Sequence, residues 1–391
     1  MNRVLTLFLG LSLALTCLAS AVRGQEAVAP EMRAAITQID ALAAAEFKQN
    51  NVGSLTIGVV SGTKLVWSKS YGHADMEQKQ PATKDTIYRI GSVTTQFTGL
   101  MLLQLVEAGK VRLSDPVEKY FPEVNKIQGR SNGAPPITLI QLATHTSGLD
   151  SEPGNAALYT KGAVSDWEKT LLAALPNTSY IYEPGTRASY SNIGYAILGA
   201  ALSRAAKQPY VEYVQQRIFA PLGMSSTSFE PNAQNRAHIS KGYAMMGEGT
   251  VDAKTPEAEH LGRGYKVPNG AVYTTAADLA RFIAFELGDI PSGLLKKETL
   301  DENFKSLSVL ADEETFLAAG YGIGFRFRVQ GTRVVYGYAG GVAGYEARAD
   351  FDRASRTGVV LLRNVGGRAI HRSSTALVIR ALDALAPAQS K

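Results

Sequence analysis

The sequence predicts an α/β fold with one antiparallel sheet, built from strands near both ends of the chain and flanked by helices. Two observations predict it: a helix and a strand pair near the N-terminus, and three strands and a helix near the C-terminus. Helical patterns interrupted by Gly and Pro residues dominate the long region between them, which indicates a large, mostly helical inserted subdomain. We expect the two groups of strands to pair, because their edges otherwise lack partners.

The N-terminal elements are a helix and a hairpin. Apolar residues recur at three- and four-residue intervals over residues 29–50, which predicts the helix. Two β-rich runs follow at residues 54–60 and 64–71, separated by a turn at residues 61–63.

The C-terminal elements are three strands and a closing helix. Glycine or polar turns separate the β-rich runs at residues 333–339, 345–351 and 357–363, and the helix covers residues 369–385. We therefore expect a single domain over residues 25–391. Its α/β part consists of residues 29–80 and 311–391, and its helical part of residues 81–310.

The composition is that of an ordinary globular protein. Of 391 residues, 45% are hydrophobic and 19% are charged, and the formal net charge is +5. The basic residues are scattered, with no run longer than two. This distribution indicates general solubility and argues against a nucleic-acid partner. It leaves the oligomeric state open.

Residues 1–24 have the pattern of a signal peptide. Arg3 precedes an apolar run at residues 4–18, and small residues at 19–21 offer a cleavage site; cleavage after Gly24 is the alternative. A retained anchor is a further alternative, but the run is short for a spanning helix. We expect a secreted or periplasmic protein without a stable membrane anchor. The only cysteine, Cys17, lies in this segment, so the mature chain has no thiol for catalysis or metal binding.

Residues 90–110 form the most informative stretch. Its body is apolar on nearly every side, which is typical of a helix buried in the core. Ser92 lies at the start of this helix, where free backbone N–H groups favour negative charge. The position suits an N-cap and equally a nucleophile whose attack creates an oxyanion.

Four motifs in a fixed order carry a family resemblance. They are GSVTTQFT at residues 91–98, LATHTSGL at 142–149, PGTRASYSNIGY at 184–195 and GYAGGVAGY at 337–345. With these motifs the chain resembles the serine β-lactamase and penicillin-binding protein superfamily. Within it, the chain is similar to the branch of class C β-lactamases, D-aminopeptidases, carboxypeptidases and esterases. The resemblance covers about residues 29–385 and implies the β-lactamase/transpeptidase-like fold.

The resemblance also implies a set of catalytic residues for acyl transfer through a covalent serine ester. Ser92 matches the nucleophile, and Tyr190 matches the tyrosine of the base system. Asn192 and Gly340 match positions that contact the substrate. The backbone N–H groups of Ser92 and Gly341 would form the oxyanion hole.

Two positions depart from the family pattern. Thr95 stands where the Ser-x-x-Lys motif has its lysine, and a threonine hydroxyl can neither accept the serine proton nor lower the pKa of a neighbour by its charge. Tyr338 stands where lysine or histidine usually opens the third motif, at a position implied to bind substrate. Some esterases of this branch carry an aromatic residue there, so Tyr338 is the milder departure.

Structural roles remain as alternatives for these residues. Ser92 could only cap the helix, Tyr190 could be a core tyrosine, and the glycines could only shape a turn. We expect His145 to be a packed, hydrogen-bonded histidine. The other histidines lack the spacing of metal ligands, and we expect neither a metal nor a cofactor.

Two functions remain open from the sequence. The first is an exported serine hydrolase that acts on small esters, amides or D-amino acid peptides through an acyl-enzyme at Ser92, impaired by Thr95. The second is a catalytically inactive homologue that serves as a ligand-binding or regulatory module.

Overall fold

The computed structural model describes residues 29–131, 133–246, 250–305, 308–311 and 318–386. The predicted signal peptide, residues 1–24, lies outside these ranges. None of the described helices is long and apolar enough to cross a membrane. The helices are α1 (Pro30–Asn50), α2 (Thr95–Glu107), α3 (Leu139–Ala143), α4 (Trp167–Ala174), α5 (Asn192–Ala206), α6 (Tyr210–Val214), α7 (Lys254–Ala258), α8 (Val267–Gly270), α9 (Ala276–Glu286), α10 (Lys297–Asn303) and α11 (Arg368–Leu385).

The strands form one large sheet and two small ones. They are β1 (Ser54–Ser61), β2 (Lys64–Asp75), β3 (Gln80–Pro81), β4 (Tyr88–Arg89), β5 (Tyr243–Met246), β6 (Thr250–Asp252), β7 (Tyr273–Thr274), β8 (Ser308–Ala311), β9 (Ala318–Gly322), β10 (Phe325–Gln330), β11 (Arg333–Val342), β12 (Tyr345–Asp352), β13 (Thr357–Arg363) and β14 (Val365–Gly366). The large sheet of the described residues is antiparallel, in the order β3-β2-β1-β13-β12-β11-β10-β9-β8.

The predicted joining of the two chain ends is confirmed. Strand β1 pairs with β13 along its length, with Leu55 opposite Arg363 and Ser61 opposite Thr357. This pairing closes the N-terminal hairpin onto the C-terminal strands, which leaves the middle of the chain as an insertion between them. The fold is thus the expected mixed α/β fold with helices on both faces of the sheet.

The two faces of the sheet carry different helices. Helices α1 and α11 pack on one face, where Ile39, Ile57 and Val378 belong to one apolar cluster. On the other face, α9 packs on β1, β12 and β13, and α2 belongs to the larger core. Phe97 of α2 makes edge-on contacts with Phe219 and Phe282, with ring centroids 5.0 and 4.7 Å apart. The predicted buried helix is therefore confirmed.

The sequence analysis did not assign β8, β9 and β10, which extend the sheet beyond β11. Glycines interrupt this part of the chain at positions 320, 322 and 324, which weakens the alternating pattern of a strand. The pairing with β11 supplies what the local pattern lacks. These strands matter for function because β10 and β11 both border the site described next.

Candidate active site

Ser92 lies in a tight 3-10 turn, Gly91–Thr94, that leads directly into α2. Neither the turn nor α2 has a side-chain cap, and Ser92 Oγ instead accepts a hydrogen bond from the Tyr190 hydroxyl at 2.8 Å. The N-cap alternative for Ser92 is therefore wrong. Ser92 is half-buried, so part of the residue remains accessible.

Strand β11 lies directly against this turn. A Cβ atom on Gly340 would lie 2.0 Å from Ile90 O and 2.8 Å from Ser92 N, and one on Gly91 would lie 2.8 Å from Gly341 O. Only residues without a side chain allow this approach, and Gly91 also has a positive φ of 48°. The glycines therefore bring the backbone of β11 beside Ser92, whereas the role of the Ser92 and Gly341 N–H groups as oxyanion donors stays a prediction.

Tyr190 is held at the start of α5. The next residue, Ser191, caps that helix by accepting the Gly194 N–H at 3.0 Å. The Tyr190 ring packs 4.7 Å from the His145 ring, centroid to centroid. Burial raises the pKa of Tyr190 to about 12, although the hydrogen bond with Ser92 opposes the rise. Tyr190 is accordingly a neutral phenol at neutral pH.

The Tyr190 hydroxyl has two acceptors. It donates to Ser92 Oγ at 2.8 Å and to the Asn192 oxygen at 2.9 Å. The Asn192 nitrogen donates to Glu152 Oε1 at 2.6 Å, which turns its oxygen toward Tyr190. A phenol has one proton, so the two acceptors share it. Proton transfer from Ser92 to Tyr190 therefore requires that Tyr190 first lose this proton.

Four residues that the sequence analysis missed support Asn192, either directly or through Glu152. Glu152 is paired with Lys266, whose ammonium lies 2.6 Å from Oε1, and it also contacts the Tyr265 hydroxyl. Asn269 donates to the Asn192 oxygen at 2.6 Å. These contacts join residues far apart in sequence and follow no motif, so no local pattern could have revealed them.

Lys266 contacts this hydrogen-bond chain at Glu152, so Glu152 and Asn192 separate it from Tyr190. Burial raises the pKa of Tyr190 overall, and the positive charge of Arg326 opposes the rise. Burial lowers the pKa of Lys266 below its usual range, although the Glu152 carboxylate opposes this. In the part of the chain that the structure describes, neither Ser92 Oγ nor the Tyr190 hydroxyl has a basic hydrogen-bond partner. Lys266 therefore orients Asn192 and does not contact Ser92.

Thr95 follows Ser92 by one helical turn and is 1% exposed. Its hydroxyl oxygen and the side-chain oxygen of Asn269 are both buried without a hydrogen-bond partner among the described residues. A buried polar atom without a partner costs about 1–3 kcal/mol. The position therefore keeps a polar group at a cost to stability and provides no charge beside Ser92.

The Tyr338 side chain is buried among other side chains of the protein. It is 3% exposed, and its hydroxyl lies 3.0 Å from His145 Nε2. His145 Nδ1 accepts the Ser191 N–H at 3.1 Å, so Nε2 carries the ring proton and donates to Tyr338. Burial lowers the pKa of His145 to about 3, with a further contribution from Arg326. The prediction of a packed, hydrogen-bonded His145 is confirmed, and a substrate contact by Tyr338 stays a prediction.

No group of three or more His, Cys, Asp or Glu side chains within the described ranges is arranged to hold a metal ion. The described site consists of a serine hydroxyl, a phenol, two amides and an ion pair. These are groups that acyl transfer to a serine hydroxyl would need.

The family is established by comparison with known proteins. The family model described as Beta-lactamase matches residues 33–383, and the chain belongs to this family. It is 30% identical over 340 residues to "Beta-lactamase-like protein 2" of Dictyostelium discoideum, which covers 85% of this chain and 59% of that protein. It is also 30% identical over 253 residues to "Protein flp" of Staphylococcus aureus strain MRSA252, covering 64% of this chain and 48% of that protein. The chain thus spans about half the length of these curated relatives.

Solved structures show the same fold. An octameric penicillin-binding protein homologue from Pyrococcus abyssi superimposes with a TM-score of 0.71 at 23% identity, covering 90% of this chain and 77% of that one. The D-alanine carboxypeptidase AmpC from Burkholderia cenocepacia gives a TM-score of 0.69 at 23% identity, covering 90% of this chain and 99% of that one. The recognition of the superfamily and of its fold from the sequence motifs is therefore confirmed.

Proposed function

We propose that this protein is an exported serine hydrolase or acyl-transfer enzyme that acts on small esters, amides or D-amino acid peptides through an acyl-enzyme at Ser92. The contact between Ser92 Oγ and the Tyr190 hydroxyl, 2.8 Å long, carries the proposal. It pairs an accessible nucleophile with a proton acceptor at the start of a buried helix, beside the backbone of β11.

The reaction proceeds through proton transfers at Tyr190. In its phenolate form, Tyr190 takes the proton of Ser92 while Ser92 Oγ bonds to the substrate carbonyl carbon. The resulting oxyanion is bound by the N–H groups of Ser92 and Gly341. Tyr190 then gives the proton to the departing oxygen or nitrogen, whose bond to carbon breaks. Water repeats the sequence on the ester, with Tyr190 as base, and releases Ser92 and the acid.

We propose that the rate of this reaction is impaired. The pKa of Tyr190, which burial raises to about 12, leaves only about one phenolate in 10⁵ at neutral pH. Asn192 accepts the Tyr190 proton and so stabilises the neutral phenol. Thr95 supplies no positive charge to offset either effect. Loss of an effective general base costs ~100- to 10,000-fold in rate.

A second function is supported by the raised pKa of Tyr190 and by the lack of a positive charge at Thr95. If the neutral phenol dominates completely, the site at Ser92, Tyr190 and Asn192 binds its ligand without turnover. The protein then serves as a ligand-binding or regulatory module. The two proposals share the ligand class and differ in whether Ser92 becomes acylated.

One experiment separates the two proposals. Purified mature protein is incubated with a chromogenic cephalosporin and with short p-nitrophenyl esters, and intact mass is followed for an acyl adduct. The enzyme proposal predicts an adduct and turnover that Ser92→Ala abolishes and Ser68→Ala, on the distant strand β2, leaves unchanged. Absence of adduct and turnover from every substrate overturns it in favour of the binding module.

Export has its own test. The proposed signal peptide predicts that protein recovered from the periplasm or the medium begins after residue 21 or residue 24. N-terminal sequencing of that protein decides between the sites. Retention of Met1 in a cytoplasmic fraction would contradict the export proposal.

A further inference from the structure

A second cavity lies under the C-terminal helix. It has a volume of about 440 Å³ and lies between strands β10–β12 and helix α11. Its volume is in the range of small-molecule sites, about 300–1,000 Å³. The polar lining includes Arg326, Arg328, Arg348, Asp350, Arg372 and Thr375. The charge of Arg326 also acts on Tyr190, whereas the proposed acyl-transfer reaction uses none of the other side chains.

The cavity and Ser92 lie on opposite faces of β11. Successive residues of a strand point to opposite faces of its sheet. Tyr338 and Gly340 face His145 and the Ser92 turn, so Gly337 and Ala339 face the other way, toward α11. Their lack of bulk leaves the space beneath the helix.

The deepest part of the cavity holds two arginines on one carboxylate. Arg348 is 5% exposed and donates to both oxygens of Asp350, at 2.9 and 3.2 Å, while Arg328 donates to the same carboxylate at 2.8 Å. Burial alone would raise the pKa of Asp350, but Arg348 and Arg328 hold it below its usual range. Asp350 is therefore a carboxylate and offsets one of the two positive charges.

Arg328 keeps unused hydrogen-bond donors. Its Nε and Nη2 atoms are buried and find no partner among the described residues. A guanidinium presents its N–H groups in a planar fork that matches the oxygens of a carboxylate or phosphate. A small side-chain rotation in the cavity would direct these donors to such a group.

Two more arginines add to the positive charge of the lining. Arg326 stacks on the Tyr321 ring, 5.3 Å from its centroid, and makes no salt bridge with an acidic residue of the described chain. Arg372 extends from α11 at the exposed rim. Apart from Arg372, the lining residues carry three guanidinium groups and the Asp350 carboxylate, an excess of positive charge that is unfavourable in a partly buried space.

We propose that this cavity is a binding site for a small molecule bearing a phosphate or carboxylate group. The oxyanion would accept hydrogen bonds from Arg328 and Arg372 and offset the excess positive charge. Val335 and Ile379 supply apolar surface for the remainder of the molecule. The site is separate from Ser92, so the proposal stands whether or not Ser92 turns over.

The test is a titration of the mature protein with inorganic phosphate and, separately, with citrate. Chloride is used to keep the ionic strength constant. Isothermal titration calorimetry and thermal unfolding are recorded in parallel. We expect saturable binding of at least one anion and a rise in the unfolding temperature that follows its occupancy. The anion that binds more tightly identifies the headgroup.

Three variants locate the binding. Arg372→Gln at the rim and Arg328→Gln in the depth should each weaken binding roughly tenfold or more. Arg380→Gln is the matched control, because Arg380 is exposed on the same helix but does not line the cavity. Arg372 is exposed, so its variant keeps the fold and remains informative if Arg328→Gln unfolds. Absence of saturable binding by the wild type, or equal affinity in Arg372→Gln and Arg380→Gln, overturns the proposal.

Discussion

The hydroxyl of Tyr190 donates to Ser92 Oγ at 2.8 Å and to the amide oxygen of Asn192 at 2.9 Å. These contacts place the proposed nucleophile and its proposed proton acceptor in reach of each other, and they stabilise the neutral form of the acceptor. The arrangement fits the proposed acyl transfer, but the neutral phenol is a weak base. Four predictions follow, three from the site and one from the buried carboxyl group of Glu286.

Restoring a positive charge at position 95 should increase acylation. In Thr95→Lys, the ammonium lies one turn from Ser92 and favours the phenolate form of Tyr190. We expect the rate of acyl-adduct formation with a p-nitrophenyl ester to rise ~100-fold, measured by time-resolved intact mass. Thr95→Met, which adds bulk without charge, should give no increase. Equal rates for Thr95→Lys and the wild type would mean that another part of the site limits the reaction.

The rate of acylation should increase with pH. The pKa of Tyr190, raised to about 12 by burial, means that the phenolate fraction grows tenfold per pH unit throughout the accessible range. A plot of log kcat/KM against pH should therefore rise with a slope near one, after subtraction of the rate of Ser92→Ala. Tyr190→Phe should remove the slope. A rate that is independent of pH in the wild type would exclude the phenolate as the base.

Gly340 and Gly341 should differ sharply in their tolerance of a methyl group. In Gly340→Ala the new Cβ would lie 2.0 Å from Ile90 O, so the turn that carries Ser92 must move. We expect loss of acylation and a destabilisation of about 1–3 kcal/mol in denaturant unfolding. In Gly341→Ala the nearest atom is Glu346 Oε2 at 3.6 Å, so stability and acylation should change little. Similar effects of the two variants would contradict the close packing of β11 on the Ser92 turn.

Glu286 should make the stability depend on pH. Burial raises its pKa from 4.5 to about 8, although Arg353 opposes this, and its Oε2 has no partner within the described ranges. A raised pKa in the folded state stabilises the fold below the unfolded pKa, and this contribution is lost as pH rises from about 4.5 to about 8. At pH 8 the loss is on the order of 2 to 4 kcal/mol.

Glu286→Gln removes this pH dependence. The variant should match the wild type near pH 5 and unfold a few degrees higher near pH 8, measured by thermal unfolding at both pH values. Glu298→Gln, at an exposed position on α10, is the control and should show no such difference. A constant difference between wild type and Glu286→Gln at both pH values would show that Glu286 does not titrate in this range.

Much of the sheet could be predicted from the sequence. The runs at residues 333–339, 345–351 and 357–363 correspond to β11, β12 and β13, because their alternation and turn residues are strong local signals. Strands β8–β10 escaped prediction because they are short or interrupted by glycine and depend on pairing with β11. The sequence analysis expected the 3-10 turn at Gly91–Thr94 to be part of the helix. The turn could not be predicted locally, because its backbone conformation depends on packing against Gly340 and Gly341.

In the site, too, local motifs could be predicted from the sequence, whereas contacts between distant residues could not. The motifs predicted that Ser92, Tyr190 and Asn192 lie together, and the structure places their side chains in one hydrogen-bonded chain. Glu152 and Asn269 belong to that chain through contacts over 40 and 77 residues of sequence, which no motif describes. Fold-dependent contacts of this kind set the orientation of the Asn192 amide, whose oxygen accepts from Tyr190.

The alternation of β11 restricts how this segment can change in length. One set of its residues lies against the Ser92 turn, and the intervening set lines the arginine cavity. A single inserted or deleted residue in the strand would exchange the two sets, placing Tyr338 under α11 and Ala339 against the nucleophile. We therefore expect homologues to vary here by substitution, with length changes confined to the turns at residues 331–332 and 343–344 that flank the strand.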